Sequence, residues 1–446
     1  MPTLVRASLD TGDTAWLLAA SALVLLMAPG LALFYGGMVR SKSVLNIMMM
    51  TVGALAVVSV VWTLVGYSLA FGDDLGGGLL GNPWQYAGLG QLLDPASNGS
   101  STVPVILFAV FQGLFCVITG ALVSGAIADR ARFGAWLVFV SAWTLLVYAP
   151  IAHWIFDFSS GSHVGGWLAN QVGVIDFAGG TAVEICSGAS GLAVALVLGR
   201  RVGFGRDPMR PHNLPLVMLG AGLLWFGWYG FNAGSALGAN QKAAVVFVTT
   251  SLAGAAGILG WLLLERRRDG KATSLGAASG MVAGLVAITP SCGSLSPIGA
   301  LVMGFVAGVV CSAAVGLKYR FGYDDSLDVV GVHLVGGLVG TLGIGLLATA
   351  AAPTGVDGLF YGGGFAQLGR QLVGAGVVLV YAFALSAALA YAVHRTMGFR
   401  VVREHEVSGV DLQIHGETAY DFHTVSGGRV GGHGILRQIT HPDEED

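Results

Sequence analysis

Charge is scarce in this chain. Asp, Glu, Lys and Arg make up 11% of its 446 residues, where a soluble domain carries about a quarter. That shortage excludes an ordinary water-exposed globule. The net charge of −3 leaves no basic excess for a nucleic acid. Cysteine is also sparse: Cys116, Cys186, Cys292 and Cys311 follow neither metal-ligand nor disulfide spacing. Three lie inside apolar runs as small hydrophobes, and Cys292 sits in a short turn. No Walker sequence or catalytic triad occurs, so pump or enzyme chemistry is not expected, and neither is a cofactor or metal.

Apolar sequence and glycine are what the chain has in plenty. Hydrophobic residues reach 54%, and 70 glycines are spread through the apolar runs, which suits close helix contact in lipid. Stretches of about 20 apolar residues predict eleven spans, near 14–36, 44–71, 103–127, 133–153, 176–199, 215–232, 243–264, 274–290, 298–318, 328–349 and 371–394. The fold class is therefore an all-α integral membrane protein. The first span lacks the basic leader and small-residue cleavage site of a signal peptide, so it is expected to remain as a helix of the mature chain.

Basic residues give the orientation. Alternate connections and the tail carry 19 of the 22 Lys and Arg, while the other side holds only Arg6, Lys242 and Arg370. By the positive-inside rule the rich side is cytoplasmic. The N-terminus is then outside, and an odd number of spans puts the C-terminus inside. Eleven divides naturally into five, five and one. Successive five-helix halves have opposite topology, the inverted-repeat design of many transporters, with pseudo-repeats near 14–199 and 215–349 and a last helix near 371–394. Internal echoes are weak: PGLALFYGG in span 1 resembles WFGWYGFNAGSA in span 6, and spans 5 and 10 both begin with Asp. The layout is a membrane domain over 1–397 and a polar cytoplasmic tail over 398–446.

Three ionisable residues stand at membrane depth without a neighbouring Lys or Arg. Asp176 and Glu184 open the span DFAGGTAVEICSGASGLAVALVLG, and His333 lies near the start of DVVGVHLVGGLVGTLGIGLL. A charge at mid-membrane costs about 2.5–3.5 kcal/mol on insertion scales, so such residues usually line a pathway or pair inside the bundle. They point to passage of something small and polar. Asp176 is also a natural helix N-cap. Glu184 follows eight residues later, about 12 Å deeper at 1.5 Å per residue.

FYGGMVRSKSVLN (34–46), FQGLFCVITGALVSGAIADRARF (111–133), YAPIAHW (148–154), DFAGGTAVE (176–184), GRRVGFG (199–205), PHNLP (211–215), WYGFNAGSALGAN (228–240), AITPSCG (287–293), DVVGVHLVGG (328–337) and GVDLQIHGETAYD (409–421) resemble, in order, the Amt branch of the Amt/Mep/Rh ammonium transporters. The resemblance implies eleven helices, an inverted five-helix repeat, a homotrimer in the plasma membrane and a separate ammonium/ammonia pore in each subunit. It places ammonium recruitment at Phe115, Phe156 and Ser235, with Asp176 close by, and a stacked phenyl gate at Phe115 and Phe231. Trp228, Tyr35 and Phe111 match positions along the pore wall. Ring faces attract a cation by about 0.5–2 kcal/mol, and the Ser hydroxyl accepts one N–H bond. The usual second aromatic is Trp; here the aligned residue is Phe156, with Trp154 and Trp167 as substitutes nearby.

Glu184 departs from the commonest family pattern, in which two histidines face each other. Only the second is kept, as His333; an acid at the first position is similar to certain fungal Mep-type members. Glu184 and His333 can share one proton between an ionic and a neutral state and titrate jointly, forming a proton relay. The bland alternative turns Glu184 into the bundle against a Ser or Thr. For Asp176 the expected role combines helix cap and local negative potential, with direct proton acceptance as the alternative. GVDLQIHGETAY resembles the family's regulatory C-terminal region, which implies a PII-type signal protein as a cytoplasmic partner. His415, His423, His433 and His441 are too irregularly spaced for a metal site. The rival functional classes are an ammonium sensor signalling through the tail and a gas channel of the Rh type. About 50 residues after span 11 are too few for the kinase or cyclase domain of the usual sensors, and DFAGGT weighs against the gas channel.

Overall fold

The computed structural model of the chain describes residues 9–99 and 101–420; the Gly- and His-rich sequence after Tyr420 lies outside them. Eleven apolar rods follow in chain order: α1 Thr11–Met38, α2 Val44–Phe71, α3 Val105–Ile127, α4 Phe133–Phe156, α5 Gly180–Leu198, α6 Leu214–Gly234, α7 Gln241–Asp269, α8 Ser274–Ile288, α9 Pro297–Phe321, α10 Val330–Leu347 and α11 Ala366–Met397. Ten are long and apolar enough to cross a membrane. The exception is α8, with 15 residues, about 22 Å against a hydrocarbon core of roughly 30 Å. The fold is all-helical, and its helix order follows the predicted spans.

Polar residues set the helix starts. Asp10, Asn213, Asn240 and Ser296 accept backbone N–H bonds in the first turns of α1, α6, α7 and α9, satisfying donors that lipid cannot. Outward side chains are apolar, and Leu18, Val60, Leu219, Leu259 and Val380 are each more than half exposed. Such a belt suits acyl chains rather than water.

Glycine brings the two halves together. Along α1 the contacts run from Ala20 with Gly230 and Gly234, through Met27 with Gly227 and Phe34 with Gly220, to Gly37 with Asn213. Ascending numbers in one helix meet descending numbers in the other, so α1 and α6 are antiparallel. The same holds for α5 and α10, where Gly188 lies on Leu334 and Gly337 lies on Glu184. Both helices open with a wide π-helical turn, Gly180–Ile185 and Val330–Leu334, and continue as a 13-residue α-helix. The opening turns carry Glu184 and His333, the two residues expected at the pore.

At the basic end a buried ion network joins three connections. Arg201 holds Asp324 at 2.8 Å and Asp129 at 2.9 Å. Although burial disfavours the charged form, the neighbouring guanidinium groups keep both carboxyls below the usual range. The tail packs here as α12 Arg403–Ser408 and α13 Val410–His415. Asp411 accepts from the N–H groups of Leu45 and Asn46 at 2.9 and 2.8 Å, capping α2. Tyr420 shares a 2.9 Å hydrogen bond with His212.

A Cβ at Gly188 would stand 2.4 Å from the backbone nitrogen of Leu334, so Gly188→Val must push α5 and α10 apart. We expect lost uptake and a Tm several degrees lower in detergent, since overpacking typically costs about 1–3 kcal/mol. Wild-type uptake by Gly188→Val would show that this close crossing is dispensable.

Candidate pore and entrance

A cavity of about 470 Å³ opens at the end of the bundle away from the basic cluster, lined by residues that include Phe115, Phe156, Asp176, Ser235 and Lys242. Three of the four predicted recruitment residues come from different helices, α3, α4 and the end of α6, and Asp176 comes from the loop before α5. Phe156 meets Phe115 edge-on, with centroids 6.3 Å apart. Ser235 donates its hydroxyl hydrogen to the Phe231 carbonyl at 2.8 Å, which leaves its oxygen lone pairs for a cavity guest. Trp154 is engaged elsewhere: its indole donates to the Leu79 carbonyl, and its ring packs on Tyr381 and Trp167. The aromatic lining is phenylalanine, including Phe108, Phe158 and Phe177.

The floor is a pair of rings. Phe115 and Phe231 stack with centroids 3.9 Å apart and planes 11° apart, leaving no space between them for a hydrated ion. Phe111 stands behind, 4.9 Å from Phe115, and Gly234 gives it room. Trp228 braces Phe231 at 6.1 Å and donates to the Thr289 hydroxyl at 2.8 Å. Beyond the rings lies a lumen of about 10 Å³, walled by Phe34, Leu122, Trp228, Phe231, Glu184 and His333 among others. That is about one water molecule's worth of room. Tyr35 stands one residue from Phe34 and donates to the Leu122 carbonyl at 3.2 Å.

Glu184 and His333 meet here. Glu184 Oε2 lies 2.6 Å from His333 Nδ1, with the two residues 1% and 4% exposed. The carboxylate therefore faces the imidazole across the lumen, not a Ser or Thr in the bundle. The other walls of the lumen are mostly apolar, so each side chain has the other as its polar partner there.

Asp176 is saturated. One oxygen accepts from Gly179 and Gly180 at 2.7 and 2.8 Å, the other from Thr181 and Ala182 at 2.7 and 3.1 Å. A carboxylate offers about four lone-pair sites, so taking a proton would require one of these bonds to break. The arrangement favours a helix cap that projects negative potential over a direct proton acceptor. Gly179 (φ 115°) supplies the left-handed turn that brings the four donors around. In the second half Asp325, rather than the expected Asp328, occupies the matching place. It accepts from Val330 N at 2.7 Å and precedes His333 by eight residues, as Asp176 precedes Glu184. Asp328 instead pairs with Lys318 at 2.6 Å.

The sequence reading missed Gln112, Phe34 and Lys242. Gln112 and Lys242 line the cavity and Phe34 lines the lumen. Lys242 was legible as one of three basic residues on its side, and Gln112 as the one amide in an otherwise largely apolar α3.

A model of the Ammonium Transporter Family matches residues 15–420. An ammonium transporter of Mycobacterium tuberculosis is 58% identical over 439 residues, covering 94% of this chain and 92% of its own. The crystal structure of Mep2 from Saccharomyces cerevisiae superposes with a TM-score of 0.80 at 36% identity, covering 89% of this chain and 88% of its own. A structure described as a sensor Amt protein superposes at 0.83 with 28% identity, covering 90% and 98%.

Asp176→Asn keeps one oxygen for two of the four donors and turns an NH2 against the other pair. We therefore expect it to destabilise nearly as much as Asp176→Ala, by about 1–3 kcal/mol for buried donors left unpaired, with uptake lost in both. Thermal melts of the purified variants check this; an unchanged Tm for Asp176→Asn would show that the four bonds do not hold the turn.

Proposed function

The chain belongs to the ammonium transporter family, and on that premise we propose that each subunit passes ammonium nitrogen from the phenylalanine-lined cavity, through the ring pair, to the Glu184–His333 site and beyond. Ring faces and the Ser235 oxygen hold the cation, assisted by the field of the Asp176 carboxylate. Phe115 and Phe231 must swing apart for entry, and the narrow lumen strips the hydration shell. Ammonium can give up its proton and continue as neutral ammonia, whereas potassium cannot become neutral. Selectivity on this reading is chemical as well as steric.

The observation that carries the proposal is the buried 2.6 Å contact between Glu184 and His333 directly beyond a closed phenyl pair. An acid facing an imidazole holds one excess proton without leaving a bare charge in an apolar lumen. We assign the pair the relay of the proton released from ammonium, so that charge moves with the nitrogen. The reading includes a homotrimer in the plasma membrane with the basic end and tail in the cytoplasm, where a PII-type protein is the expected partner. A second reading, an ammonium sensor, is favoured by the docked tail: Asp411 caps α2, and Glu406 accepts from Val202 N at 2.6 Å beside the buried network.

Solid-supported-membrane electrophysiology on proteoliposomes separates the readings. Transport predicts an ammonium-evoked current whose decay speeds up with protein density; binding alone predicts a decay that ignores it. Glu184→Gln keeps size and hydrogen bonding but cannot ionise, and should cut current at least as strongly as uptake. Glu184→His should keep transport with a shifted pH optimum. His333→Ala should fail most severely, because breaking a buried charged pair costs about 3–5 kcal/mol. Undiminished current in Glu184→Gln across about pH 5 to 8, the range in which an imidazole changes charge, would leave Glu184 without a relay role.

A further inference from the structure

Ammonium carries four N–H donors in a tetrahedron, and a site that strips its water must offer acceptors on more than one side. In the entrance cavity the side-chain oxygens of Asp176, Ser235 and Thr354 are already engaged in hydrogen bonds. All four N–H bonds to Asp176 come from the backbone, and Ser235 contributes one oxygen whose own hydrogen is spent on Phe231. Phe156 supplies a ring face but no polar atom.

Gln112 is the exception. It lies three residues before Phe115 on α3, so both project from one helix face, and it lines the same cavity as Phe156 and Ser235. The residue is only 8% exposed, and its Oε1 has no hydrogen-bond partner among the described residues. Nearly all buried amide oxygens are paired, and each exception needs an explanation. A cation donor arriving through the cavity supplies one. Close by, Lys242 carries the cargo's own charge at the cavity lining, which makes a second acceptor more useful to an incoming cation.

Resting on the recruitment reading above, we infer that the Gln112 side-chain carbonyl is a further ammonium-binding group, accepting one N–H of the cation opposite the Ser235 oxygen. Its place above the phenyl pair means that it acts on capture rather than on the later proton step.

The test is the ammonium dependence of initial currents in proteoliposomes for Gln112→Met, which keeps length but removes the acceptor, and Gln112→Glu, which strengthens it. Gln112→Met is expected to raise the half-saturating ammonium concentration about tenfold, as loss of one hydrogen bond to a charged group would, with maximal current little changed. Gln112→Glu is expected to lower it. An unchanged half-saturating concentration in Gln112→Met, or a fall in maximal current alone, overturns the inference, because water or packing then accounts for the side chain. If Gln112→Met does not fold, Gln112→Glu decides: a half-saturating concentration equal to or above wild type overturns it. Ser235→Ala serves as the control on the underlying reading. A response in Ser235→Ala but not in Gln112→Met removes only Gln112 from the site, whereas no response in Ser235→Ala removes the recruitment site itself.

Discussion

The two helices that carry Glu184 and His333 begin inside the protein, and their first N–H groups must find acceptors there. An unpaired buried donor costs about 1–3 kcal/mol. Asp176 and Asp325 answer this constraint, each with a buried carboxylate eight residues before Glu184 or His333. Once the starts are fixed, the meeting point follows. Glu184 lies 14 residues before the end of α5 at Leu198, and His333 lies 14 before the end of α10 at Leu347. At 1.5 Å per residue both are about 21 Å from those ends. Because the helices are antiparallel, the pair falls at the midpoint of their combined length.

The midpoint is also where a lone charge is most expensive, and the local packing reflects that. Gly337 and Gly188 remove the side chains that would hold α5 and α10 apart, so the carboxylate and imidazole touch directly. Apolar walls, chiefly Phe34, Leu122, Trp228 and Phe231, leave room for a single small molecule. Within such walls the pair is each partner's solvent. A guest that donates or accepts one hydrogen bond can be accommodated; a hydrated cation is too large for the space.

Much of this was legible in the sequence, for physical reasons that differ by residue. Long apolar runs announce helices because lipid forbids unpaired backbone, and the helix order follows from them directly. Asp176 could be read as a cap because its position and type suffice. The meeting of Glu184 with His333, 149 residues apart in the chain, was available only through resemblance to a family whose members pair those positions. What was hidden depends on helix rotation. In α3 nearly every residue is apolar, so no periodicity marks the face that turns Gln112 and Phe115 to the cavity. Asp325 was overlooked in favour of Asp328 because both precede the apolar run, and only the geometry of the loop sends Asp328 to Lys318 instead.

At the basic end, hydrogen bonds and ion pairs tie the tail to the segment just after α5. Asp325, which caps α10, is adjacent in sequence to Asp324, and Asp324 is held by Arg201 just after the end of α5. Arg201 is followed by Val202, whose N–H is bound by Glu406 of the tail, and Glu406 in turn holds Arg400 at 2.7 Å. Arg400 reaches back to the Leu198 carbonyl at the last residue of α5. The end of the Glu184 helix and the tail thus meet through Arg201, Glu406 and Arg400, and the cap of the His333 helix joins them through the chain itself, at Asp324–Asp325. Removing Arg201 would leave the buried Asp324 carboxylate without its ion-pair partner, at about 3–5 kcal/mol. A displaced tail would give up the bonds of Glu406 to Val202 N and to Arg400. Contiguity alone is not coupling, yet it fixes where a second arrangement must differ: at Asp324, Arg201 and Glu406, a few residues from the ends of both pore helices.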